Sequence, residues 1–198
     1  MAYEPLARYE RILDEHQWMD ESMNWLVVQT LGPAPGSVDS IGARLSKLGV
    51  CDVDMEMDPR EGWAEYDGRL AVSVDLQQKG YFLFSDTDLY DESPIRELSL
   101  DGCRVWALRA VLGQHEMIYA FDGEILMTWN TFRITDRPLA HDPIDEDIQF
   151  LQEVCAEEGK RFDIAAMMAV FERGSGVAMD VNWASAPRPA VIISDPIW

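Results

Sequence analysis

Basic side chains are scarce in this sequence. Sixteen Lys and Arg stand against thirty-six Asp and Glu, a formal net charge of −20. That sign repels nucleic-acid phosphate and anionic bilayers, so it speaks against direct nucleic-acid or membrane binding and favours basic partners. Cysteine is also sparse. Cys51, Cys103 and Cys155 lie far apart with no C-x-x-C pair, each inside an apolar pattern, which argues against a disulfide framework or a zinc site and for thiols buried in a reducing cytoplasm. No apolar run is long enough to span a bilayer, and Met1-Ala2-Tyr3-Glu4-Pro5 has neither a basic region nor a following apolar stretch, so a cytoplasmic protein is expected. Also missing are G-x-S-x-G, G-x-x-x-x-G-K-[ST], H-E-x-x-H and G-x-G-x-x-G. No catalytic, cofactor-binding or metal-ligating residue is therefore assigned, and a non-enzymatic role is expected.

The apolar residues that are present carry a clear pattern. Leu70, Val72, Val74 and Leu76 alternate with Ser73, Asp75 and Gln77, the period of a half-buried strand. A turn at Lys79-Gly80 leads into Tyr81 to Phe84. Cys103 to Leu112 and Glu116 to Phe121 flank Gly113-Gln114-His115, a turn expected to expose His115. Asp122-Gly123 then joins the second of these strands to Glu124 to Ile134, and Asp-Gly between apolar runs predicts a type I′ hairpin. Val105, Ala107, Arg109 and Val111 oppose Arg104, Trp106, Leu108 and Ala110, so both faces are largely apolar and that strand is expected to be central. The fold class is α+β: an antiparallel sheet of about six or seven strands with amphipathic helices packed on it. A single domain over 1–198 is expected, with a core of about 20–180 and with the N-terminal helix and the tail 183–198 as extensions.

Leu6, Tyr9, Ile12, Leu13 and His16 recur at helical spacing opposite Glu10, Arg11 and Asp14, which predicts a helix through about the first eighteen residues. Met23 to Leu31 suits a strand covered on both sides. After the Gly32 to Gly36 loop, Ser37 is a candidate N-cap for a helix bearing Val38, Ile41, Leu45 and Leu48. Further helices are predicted near Ser93-Pro94, from Asp142-Pro143 with Ile148, Leu151 and Cys155, and from Asp163 to Arg173, closed by Gly174-Ser175-Gly176. Val191 to Ile193 reads as an edge strand or a docking tail.

The most distinctive local feature is Val50 to Asp58, which alternates apolar and acidic residues. As a strand it buries Cys51, Val53, Met55 and Met57 and lines up Asp52, Asp54, Glu56 and Asp58 on the other face, with neighbours about 6.5–7 Å apart. Such a row protects a solvated edge, docks a basic partner, or, if it converged, binds a divalent cation. Trp63, in the polar loop that follows, is either a core lid or an exposed contact. A second acidic segment holds Asp86, Asp88, Asp91 and Glu92, but the glycine and terminal glutamate of an EF-hand loop are missing from their places.

Several segments together resemble a known family. They are Trp25 to Val28 before a loop, the helix end from Arg44-Leu45 to Leu48-Gly49, the strand ending at Gly80, and the Leu98-Ser99 to Val105 step. The Phe121-Asp122-Gly123 hairpin, Arg137 to Asp142-Pro143 and the helix end from Glu172-Arg173 to Gly176-Val177 complete the set. On these the chain is similar to an uncharacterised, mostly actinobacterial family of small proteins catalogued as a domain of unknown function. The resemblance spans roughly residues 20 to 180, rests on structural motifs and brings no catalytic residues with it. The acidic row at 52–58 and the tail after Trp183 depart from it.

These features point to an acidic protein-interaction module, its surface around Asp52 to Asp58 and Asp86 to Glu92 meeting a basic protein, as immunity-type and anti-defence inhibitors do. The alternative is a small-ligand or metal-binding protein with a pocket between sheet and helices, lined by Trp106, Tyr119 and Trp129.

Overall fold

Strands from residue 22 to residue 194 share one sheet in the order 50–57, 188–194, 70–77, 80–85, 22–29, 104–111, 114–121, 124–130 and 133–134, each antiparallel to its neighbour. The computed structural model describes residues 3–30, 37–46, 49–57, 69–77, 80–85, 92–111, 113–130, 133–134, 143–179 and 186–194. The strands are β1 (Ser22–Gln29), β2 (Val50–Met57), β3 (Leu70–Gln77), β4 (Gly80–Ser85), β5 (Arg104–Val111), β6 (Gln114–Phe121), β7 (Glu124–Asn130), β8 (Arg133–Ile134) and β9 (Arg188–Ser194). The helices are α1 (Glu4–Glu15), α2 (Trp18–Glu21), α3 (Val38–Leu45), α4 (Glu92–Ser99), α5 (Pro143–Glu157) and α6 (Ile164–Ser175). The expected class is thus observed, with a larger sheet.

β1 shows why the sheet can carry helices on both sides. Met23, Trp25 and Val27 face one way, Leu26 and Val28 the other, and all are buried. On the first face α6 lies against β5, and α1 and α5 pack on α6. Residues Ile164 to Phe171 of α6 are consequently buried on every side. Phe171 stacks on Trp25 with ring centroids 4.3 Å apart, and truncating such a residue to alanine costs about 3–5 kcal/mol. Gly174 permits the close approach: a Cβ there would lie 2.8 Å from Trp106. On the second face α3 covers β2 and β9 while α4 covers β5 to β7, burying Tyr81, Leu83, Ile95, Leu98 and Val105.

Local chemistry sets the boundaries. Ser37 and Ser40 form a reciprocal capping box at the start of α3. The Asp163 carboxylate accepts the N–H groups of Ala165 and Ala166 at 3.1 and 3.4 Å to cap α6, and Gly176, at φ 70°, closes it. Asp122 and Gly123 take φ of 48° and 82°, as the type I′ turn requires.

Three expectations need correction. β9 is an interior strand between β2 and β3, so Val191 to Ile193 are not an edge; among the described residues β2 and β8 end the sheet. β5 reaches Val111 and β6 starts at Gln114, so His115 is a strand residue, 7% exposed. The final predicted strand divides into β7 and β8, which pair with each other antiparallel, Asn130 opposite Arg133. The expected 32–36 loop lies outside the described residues.

Candidate functional site

On β2 the acidic row is interrupted. Asp52 pairs with Ile192 and Asp54 with Ala190, but Met57 pairs with Arg188, so Met55 and Glu56 together stand opposite Pro189. Proline has no N–H to give the ladder, and a bulge is where a strand accommodates one. The extra residue reverses the alternation. Met57 moves onto the face of Asp52 and Asp54, where it is buried with Ala71, Ala190 and Ile192. Strict alternation, which puts Met57 with Cys51 and Val53, is thereby overturned. Asp52 and Glu56 are exposed and Asp54 is half-buried, its Oδ1 accepting the Glu56 N–H at 3.0 Å. Val53, on the opposite face, is 36% exposed. One strand further in, Arg188 pairs with Asp75 at 3.4 Å.

The other expected interface residues are not gathered here. Glu92 is exposed at the start of α4, 3.2 Å from Arg96, on the opposite side of the sheet from Asp52 and Asp54. Asp58, Trp63, Asp86, Asp88 and Asp91 lie outside the described residues. The aromatics expected to line a pocket pack on one another and on the helical layer. Trp106 stacks on Tyr119 with centroids 4.4 Å apart, and Trp129 meets Phe162 edge-on at 5.7 Å.

Sequence reasoning missed two groupings. The first is a groove of about 440 Å³ along α1, α2 and the start of α6, lined by the carboxylates of Glu10, Asp14, Asp20, Glu21 and Asp163. At its border Lys160 reaches both Glu10 and Glu158 at 2.8 Å. Those two bonds hold the Lys160 ammonium well above the usual range, and Lys160 in turn holds the Glu158 carboxyl below its own. Asp20 lies 3.3 Å from the buried His115. Only the spacing of Glu10 and Asp14 on α1 hinted at this groove, because its other walls come from separate elements.

The second grouping is a polar row crossing four strands at one level, Ser85 to Asn24 to Arg109 to Glu116. Asn24 and Ser85 are 1% and 2% exposed, and Arg109 approaches Glu116 at 3.8 Å beside a hollow of about 110 Å³. The four residues come from four different strands, so no local pattern announces the row.

Among the described residues no group of His, Cys, Asp and Glu is arranged to hold a metal ion, and no helix is long and apolar enough to cross a membrane. No family model, curated protein or solved structure matches the chain.

Proposed function

We propose that the protein is a non-enzymatic acidic interaction module that binds a basic protein partner in the cytoplasm, in the manner of an immunity-type or anti-defence inhibitor. One observation carries this reading: Asp52 and Glu56 stand exposed on β2, which ends the sheet among the described residues, in a chain whose net charge is −20. A field of one sign raises the encounter rate with a partner of the other, and exposed charges act over a Debye length of about 10 Å at 0.1 M salt. The acidic groove beside α1 adds to the same field. Capture from lysate by the wild-type chain and by the triple variant D52N/D54N/E56Q tests this. A basic protein retained at low salt, weakened by moderate salt and weakened by the variant supports the reading. A partner held equally under all three conditions overturns it.

A second reading, a small-ligand-binding protein, draws on the Asn24–Arg109–Glu116 row and its hollow. Thermal-shift screening with small polar metabolites, and calorimetric titration with calcium, magnesium and zinc, tests it. No shift and no heat removes it.

A further inference from the structure

β2 ends the sheet, with β9 its one strand neighbour among the described residues. A strand in that position presents main-chain groups to any chain able to lie alongside, and proteins guard such edges with charge and bulges. Both guards are present here, but the charge has one sign. A second copy of this chain would bring Asp52 and Asp54 against like charges, which opposes pairing, whereas a strand of opposite sign meets complementary ones.

The two faces of the edge differ as well. Asp52 and Asp54 lie on one face; Val53, 36% exposed, and the half-buried Cys51 lie on the other. The regular ladder runs from Val50 to Asp54 and stops at the bulge opposite Pro189. We infer that β2 receives an extended segment of its basic partner by strand addition, with Lys or Arg at alternate positions over Asp52 and Asp54 and apolar side chains between them covering Val53. The segment is about five residues long, roughly 17 Å. This inference rests on the basic-partner reading and adds its mode: main-chain hydrogen bonds supply affinity and the alternate side chains supply selectivity.

The test uses the full chain and two capped eight-residue probes that alternate lysine and valine, one unmodified and one N-methylated at its four central residues. N-methylation keeps charge and side chains while removing the donors that strand pairing needs. Fluorescence anisotropy at low salt is expected to show the methylated probe binding more weakly by on the order of tenfold. Hydrogen exchange in β2 is expected to slow with the unmodified probe, and not with the methylated one, at the alternate residues whose N–H groups point away from β9. The double variant D52N/D54N, checked to unfold cooperatively well above the assay temperature, is expected to weaken the unmodified probe. Equal affinity for both probes, binding without slowed exchange in β2, or failure of both probes to bind overturns strand addition. The basic-partner reading is judged separately, by capture of a folded partner with the triple variant, and survives any of these results if that capture remains charge-dependent.

Discussion

The Asp54 carboxylate accepts the backbone N–H of Glu56 at 3.0 Å, closing the bulge that Pro189 imposes on β2. The bond ties an acidic side chain to the shape of the edge as well as to its charge. Asp54→Ala is expected to lower stability by about 1 kcal/mol, while Asp54→Asn, which keeps an acceptor oxygen, loses less. Urea denaturation midpoints of the two variants check this; equal losses would show that the acceptor has no part in closing the bulge.

Gly174 faces Trp106, with the position of a Cβ only 2.8 Å from the indole ring. Gly174→Ala is expected to cost about 1–3 kcal/mol by pushing α6 off the sheet. Pairing it with Trp106→Phe should recover part of that loss, because the smaller ring leaves the space. A double-mutant cycle by chemical denaturation reads the coupling, and strict additivity would contradict the contact.

Tyr9 is fully buried, donating to Glu172 Oε2 at 2.8 Å and accepting the Met179 N–H at 3.2 Å, while Arg8 reaches the same carboxylate. The phenol oxygen thus joins α1, α6 and the segment after α6. Tyr9→Phe leaves the carboxylate and the N–H short of a partner and is expected to cost about 1–3 kcal/mol. A melting temperature within one degree of wild type would contradict it.

Alkaline stability follows from two buried phenols. Burial pushes Tyr81 up to about 12, with the nearby Arg44 guanidinium opposing, and burial likewise raises Tyr9. Both groups keep their proton longer when folded. Their contribution is complete below about pH 10, the ordinary phenol value, and is lost as pH rises from there through the folded value. Stability is therefore expected to fall between about pH 10 and 12, and Tyr81→Phe to flatten the slope over that window. An unchanged slope in a pH series of denaturation midpoints would contradict it.

What was legible in the sequence was local. Asp122-Gly123 specifies its turn through backbone sterics alone, Ser37 and Asp163 satisfy N–H groups within three residues, and the two-sided apolar pattern of β1 marks a central strand. What was not legible depends on partners remote in sequence. Pro189 breaks the alternation of β2 only because β9 lies beside it, and nothing in Val191 to Ile193 reveals that β2 and β3 enclose them. His115 is buried because β6 begins at Gln114 and sets it opposite Ala110. The acidic groove needs α1, α2 and α6 together before its carboxylates are neighbours.

The most direct test of a charged edge serving a basic partner is the association rate of the captured partner as a function of ionic strength, for wild type and for D52N/D54N/E56Q. Electrostatic steering is expected to make the wild-type rate fall by about tenfold or more between low and physiological salt, with a shallower fall in the variant. Identical, flat salt profiles for the two proteins would contradict it.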